Sequence, residues 1–203
     1  MSSVVRIETD RLLLREARQS DAAAWAPYNT DPDYRRYIPV RKSELSPEER
    51  AARKFALLMG QWEKEPRTGV GWVVARRSDD QVVGMVEYDL GQEAGDGEIG
   101  YYVGKPFWGQ GYGRELAHAA SRFVLESDLP YERLVAYIVP ANAGSVRIAE
   151  SLGMHFEQGG IDYLQFFPDP TAIELDDPFC DFYAAPKADI TIDQGHYRVI
   201  EPR

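Results

Sequence analysis

Cysteine is almost missing from this 203-residue chain. Cys180 stands alone, which excludes an internal disulfide and any zinc site built on clustered thiolates. Histidine is scarce as well: His118, His155 and His196 are dispersed and show no metal-ligand spacing, so no metal site is expected. Long apolar runs are absent too. The longest, residues 134–139, falls far short of the ~18–20 residues that span a bilayer. The opening stretch, MSSVVRIETDRLLLRE, carries charge at Arg6, Glu8 and Asp10 where a signal peptide would be apolar. Positive charge is also in short supply: 23 Lys plus Arg face 33 Asp plus Glu, a net of −10. A surface of that sign repels a phosphate backbone, which argues against nucleic acid, and attracts cationic partners such as amines, polyamines or basic peptide ends. The expectation is a soluble, cytoplasmic protein without membrane attachment, a single domain over residues 1–203.

What is present alternates between two periods. RLLLRE at 11–16 reads as a first strand, and Ser20 is placed to cap a helix that Pro27 interrupts. Ser46-Pro47-Glu48-Glu49 is a capping box with proline at the first helical position. Behind it Phe55, Leu58, Met59 and Trp62 fall at i, i+3, i+4 and i+7, one buried helical face. Strands follow at 71–76 and 81–90, with Ser78-Asp79-Asp80 as their hairpin turn, and a third at 98–103. A helix over 111–127 turns Leu116, Ala120, Phe123 and Val124 inward, and residues 133–139 form a buried strand. Asn142 caps a short helix that Gly153 ends, and a final strand is expected at 190–200. Strands first clustered, then alternating with helices, predict an α/β (α+β) mixed central sheet with helices on both faces. At 166–189 the composition becomes acidic and rich in proline and aromatics, which reads as an ordered insertion before the last strand.

Residues 97–114, GEIGYYVGKPFWGQGYGR, carry the chemistry. Glycines at a strand-to-helix turn aim backbone N–H groups at one spot, backed by the positive end of the helix dipole, and such a nest holds a phosphate or pyrophosphate. The register G-x-G-x-G is wrong for a dinucleotide fingerprint. A P-loop fails as well, because Gly100 is one residue too close to Gly104-Lys105 and Pro106 stands where Ser or Thr is needed.

Trp108-Gly109-Gln110-Gly111-Tyr112-Gly113 instead resembles the acyl-CoA pyrophosphate loop Q/R-x-x-G-x-G/A of the GNAT N-acetyltransferase superfamily. Trp108 takes the Gln/Arg position, which is similar to the ribosomal-protein N-terminal acetyltransferase (RimJ/RimL-like) branch and its W-G-[KQ]-G-Y. ETDRLLLRE, GEIGYYV and NAGSVRIAESLGM resemble that branch in the same order, so the likeness runs over residues 8–158.

The resemblance implies a GNAT acyl-CoA N-acyltransferase fold with a splayed parallel strand pair, here 98–103 and 133–139. It also implies acetyl-CoA as co-substrate and direct transfer of its acetyl group to a primary amine. The acceptor is left open between a protein N-terminal α-amine and a small-molecule amine such as a polyamine or an aminoglycoside-like compound. Backbone groups of Tyr101 and Val103 would bond the pantetheine, with the Val103 N–H as oxyanion donor. Residues 108–113 and Arg114 would hold the diphosphate, although Phe107 reads as core and Trp108 and Tyr112 read as readily as core. Glu98 is the first choice of base and Glu87 the second. The family's usual acid, a tyrosine, maps to Ala149, and the branch's serine maps to Ser145; Asn142 caps that helix and reaches toward the pantetheine. Tyr34, Tyr37 and the insertion are candidates for the acceptor cleft, and Cys180 reads as a buried filler. Dimers are common among the look-alikes, so a homodimer is open. A non-catalytic acyl-CoA-binding sensor or interaction module is the alternative, favoured by the alanine at 149.

Overall fold

The computed structural model describes residues 4–201, with the side chains of Tyr34 and Arg35 outside the described set. The chain begins with a hairpin, β1 (Arg6–Thr9) and β2 (Leu12–Arg15), then α1 (Gln19–Asn29), α2 (Pro32–Tyr37), the short β3 (Val40–Arg41) and α3 (Pro47–Gln61). Three strands follow, β4 (Val70–Arg76), β5 (Val82–Leu90) and β6 (Asp96–Val103), then α4 (Tyr112–Glu126), β7 (Arg133–Ile138) and α5 (Ala143–Ser151). The last part holds β8 (His155–Asp162), the short β9 (Ile173–Glu174), β10 (Phe179–Pro186) and β11 (Tyr197–Ile200). Nine strands make one sheet in the order β11-β1-β2-β4-β5-β6-β7-β10-β8, while β3 and β9 form a separate pair.

Sequence chemistry accounts for most element boundaries. At α3 the Ser46 hydroxyl accepts from the Glu49 N–H and the Glu49 carboxylate accepts from the Ser46 N–H, as the capping box requires. At α1 the cap is not Ser20. Arg18 is the N-cap residue, and the Asp21 carboxylate, inside the first turn, accepts its backbone N–H at 2.6 Å. The same carboxylate binds the Arg15 guanidinium at 2.7 Å, and both side chains are buried. Pro27 lies within α1 without ending it.

Helices cover both faces. On one, Trp25 of α1 and Phe55 and Leu58 of α3 pack on Val73, Val82, Met85 and Tyr102 of the sheet. On the other, Leu116, Ala120 and Val124 of α4 pack with Leu14, Trp72, Val86 and Tyr88, and Phe123 is only partly buried there. Burying each large side chain of this kind contributes about 1.5–3 kcal/mol.

Two expectations about the last third need correction. The stretch 166–189 is ordered, yet it is not an addition to the sheet: β10 lies inside the sheet, antiparallel to β7 on one side and β8 on the other. Pro178 precedes that strand and Pro186 ends it, so neither removes an internal ladder bond. The final strand is shorter than 190–200. Only Tyr197–Ile200 is extended and paired, and it joins β1 at the far edge of the sheet.

Every strand pair in the large sheet is antiparallel except β6 and β7, which run parallel. Their register covers three positions only, Asp96↔Arg133, Gly97↔Leu134 and Glu98↔Val135. Beyond Glu98 the two strands part. At the base of the opening the Arg133 guanidinium grips the buried Asp96 carboxylate with two bonds of 2.8 and 3.0 Å.

Candidate active site

A cavity of about 1290 Å³ occupies this opening and is lined from both faces of the sheet. Side chains alternate across a strand, so β6 presents Glu98, Gly100 and Tyr102 to the α3 side and Tyr101 and Val103 to the side of α4 and α5. Contacts agree: a Cβ on Gly100 would meet Glu87 Cγ at 3.4 Å, while the Val103 side chain approaches Gly113 of α4. The cavity therefore passes through the sheet.

On the α4 side, Gly109 (φ +73°) and Gly111 (φ +79°) hold left-handed backbone that other residues adopt at a cost. Gly111 is the N-cap of α4 and offers no side-chain bond, so the first N–H groups of the helix have no side-chain acceptor. Gly113 has a different reason: a Cβ there would lie 2.9 Å from Ile148 of α5. The other predicted loop residues divide. Trp108 is exposed, lines the cavity and donates its indole N–H to the Val103 carbonyl at 2.6 Å. Phe107 and Tyr112 are buried in the core. The Gln110 side chain turns back to the Pro106 carbonyl at 3.0 Å, away from the cavity lining. Arg114 lines the cavity but is held by Asp193 through two bonds of 2.6 and 2.7 Å.

The Gly104 N–H bonds the Val83 carbonyl on β5, so the Val103 N–H, one residue earlier, faces the opening. Asn142 caps α5 by accepting the Ser145 N–H at 3.1 Å, and Ser145 lines the cavity. Ala149 lines it also. The Tyr101 side chain was not singled out by the sequence, only its backbone. Its hydroxyl is buried without a hydrogen-bond partner, and burial pushes its pKa up while the nearby Ser145 side chain pulls it down.

On the α3 side the two candidate bases differ. Glu87 is bound to Lys54 of α3 at 2.5 Å. Glu98 forms no ion pair with a cation among the described residues; its carboxylate accepts the Tyr163 hydroxyl at 2.7 Å. Desolvation raises Glu98 to about 7, the charge of Glu87 adds to the rise, and the bond from Tyr163 opposes it. Tyr163 follows β8 and stands against Tyr137 with ring centroids 5.3 Å apart, in an aromatic wall that Phe166 and Phe182 extend. No spacing rule links it to Glu98. Tyr37 and Cys180 also line the cavity, and burial pushes the Cys180 thiol up to about 12, which suits a filler and not a nucleophile. Tyr34's side chain is outside the described residues.

Residues 11–155 match the acetyltransferase (GNAT) domain family. The chain belongs to the GNAT acetyltransferase family. The family draws its acetyl group from acetyl-CoA. An uncharacterized N-acetyltransferase, p20 of Bacillus licheniformis, is 26% identical over 151 residues, covering 73% of this chain and 82% of that one. In fold the GNAT chain resembles a ribosomal-protein-S5-alanine acetyltransferase from Vibrio fischeri (TM-score 0.71, 18% identity, 92% of this chain and 98% of that one). It also resembles Mycobacterium smegmatis RimJ in complex with CoA-disulfide (TM-score 0.64, 16% identity, 91% and 88% of the two chains). Among the described residues no helix is long and apolar enough to cross a membrane, and no group of three metal-ligating side chains gathers.

The charge of the site departs from that of the whole chain. Seven basic side chains and three acidic ones line the cavity among the described residues, against a net of −10 overall. Of the five acids between 87 and 98, Glu87, Asp89 and Glu98 reach the lining, while Asp96 is consumed by Arg133.

Proposed function

We propose that the protein is an N-acetyltransferase that moves the acetyl group of acetyl-CoA directly to a primary amine, with Glu98 as the base. The observation that carries this is the position of Glu98: beside the opening through the sheet, without an ion-paired cation among the described residues, and with a pKa near neutrality.

The residues fit acetyl-CoA. Two left-handed glycines and the uncapped start of α4 suit a diphosphate, and the opening along Tyr101 and Val103 suits an added strand-like pantetheine. When bound, it supplies an activated acetyl carbon and a thiolate leaving group. Glu98 takes a proton from the acceptor ammonium, directly or through water, so that the neutral nitrogen can bond to the acetyl carbon as the carbon–sulfur bond breaks; the second proton that the nitrogen then loses goes to the departing thiolate, leaving amide and free thiol. The Val103 N–H stabilises the developing oxyanion. Ser145 and the unpartnered Tyr101 hydroxyl are donors for the departing sulfur, taking the place of the tyrosine that Ala149 lacks. The acceptor is a protein N-terminal α-amine or a small-molecule amine.

Ala149 favours a second reading, a non-catalytic acyl-CoA sensor. Thiol release from acetyl-CoA across a panel of amines and N-terminal peptides, with calorimetry of acetyl-CoA binding, decides between them. Acceptor-dependent release establishes the transferase; binding with no release from any acceptor favours the sensor; no binding refutes both.

A further inference from the structure

We propose that the α3 side of the cavity is an anion subsite, in which Arg41, Arg50 and Arg53 seat a carboxylate or phosphate carried by the same acceptor whose amine reaches Glu98. The inference deepens the transferase reading and rests on it.

Arg50, Arg53, Lys54 and Leu57 fall at i, i+3, i+4 and i+7 of α3, and all four line the cavity. Lys54 is engaged by Glu87, which pairs in register with Gly100, two residues from Glu98. Arg50 lies about one helical turn away, ~6 Å along the axis. Arg41 of β3 joins the same lining.

No carboxylate among the described residues lies within ion-pair distance of Arg41, Arg50 or Arg53. The Arg50 guanidinium donates to the Leu45 carbonyl at 3.1 Å, and Asp169 senses Arg41 only through space. In a chain with ten more acids than bases, three arginines lining one cavity without carboxylate partners among the described residues are a like-charge array that an incoming anion relieves.

The cofactor's phosphates do not account for this array. Their cradle is on the opposite face, where the glycine loop, the start of α4 and Arg147 line the cavity. The sheet thus separates two anion-binding regions, and the one nearest Glu98 belongs to the acceptor. Net acidity predicts a cationic acceptor; the local charge predicts an amine with an anionic neighbour.

The test uses hexapeptides with one common first residue and a free N-terminus, bearing Asp, Asn or Lys at the next three positions. A small-molecule arm compares ethanolamine with phosphoethanolamine and β-alaninamide with β-alanine, so a peptide source and a free metabolite-sized source are told apart. Thiol release is expected to favour the acidic member of a series by at least ten-fold in kcat/KM. In the Arg41→Glu/Arg53→Glu variant, whose changes are at exposed positions, that preference should shrink ten-fold or reverse. Acetyl-CoA affinity, read by calorimetry, should stay within two-fold of wild type. Equal or better use of the basic member, or a preference unmoved by the variant, overturns the subsite. If no acceptor turns over, calorimetry of the Asp hexapeptide on CoA-loaded protein still decides it. Binding lost in the variant supports the subsite, and no binding in the wild type overturns it. Loss of acetyl-CoA binding in the wild type would overturn the transferase reading itself.

Discussion

The Tyr163 hydroxyl donates a 2.7 Å hydrogen bond to the Glu98 carboxylate across 65 residues of sequence. The bond favours the ionised carboxylate, against desolvation and the neighbouring charge of Glu87. Glu98 is therefore half-titrated at about pH 7, and kcat/KM should rise through that pH as the base form accumulates. Tyr163→Phe removes the opposing bond, so the acidic limb should move to higher pH by about one unit. A merely structural role for Tyr163 would lower stability and leave the limb in place. The pH profiles of wild type and variant check this.

Glu98→Gln should lower turnover at pH 8 by about 10²–10⁴-fold while acetyl-CoA still binds. It should also stabilise the fold there. With a folded pKa raised to about 7, Glu98 holds its proton more tightly in the folded state, so stability falls as pH rises from the ordinary carboxylate range to 7. The variant escapes that loss. Its Tm should exceed wild type by about 2–4 °C at pH 8 and match it at pH 4, as thermal melts would show.

Ser145→Ala and Tyr101→Phe each remove a hydroxyl proposed to face the departing sulfur. Each should reduce kcat by about ten- to 150-fold, the equivalent of one hydrogen bond to a charged group, with little change in acetyl-CoA affinity. Single-turnover rates would separate this from slow product release. Unchanged rates in the double variant would remove both residues from the mechanism.

Asp21→Ala leaves the Arg15 guanidinium, which is 1% exposed, with only the 3.3 Å contact to the half-exposed Asp80 as counter-charge, and removes the carboxylate that serves the start of α1. A loss of about 3–5 kcal/mol is expected in urea unfolding. Replacing both members, Arg15→Met with Asp21→Leu, should recover much of it, because no buried charge is then left without a partner.

The elements with chemical punctuation could be read from the residues: the box at Ser46, the cap at Asn142, and the glycines before α4. The strands β8 and β10 could not. All but one residue of β8 is exposed, so it has no apolar alternation to betray a period of two. The residues of β10 are bracketed by Pro178 and Pro186, which read as breakers although they sit at the strand's ends. The site divides in the same way. Glu98, Val103, Ser145 and the glycines lie in local motifs, whereas Tyr163 reaches Glu98 only through the tertiary fold. Net charge misled about the cavity, since a sum over the chain carries no information about where the arginines of α3 point.

The order in which the sheet fills its positions has a kinetic consequence. β10 enters between β7 and β8 only after some forty further residues, and Tyr163 arrives from the same late stretch. Pairings of such separation are closed late, because the loop entropy must be met before the contacts repay it. A chain folded as far as α5 would own the glycine loop and the open strand pair but not the wall that desolvates Glu98. Capture of the donor and command of the proton would then be acquired at different moments of folding, the second depending on the last strands to find their place.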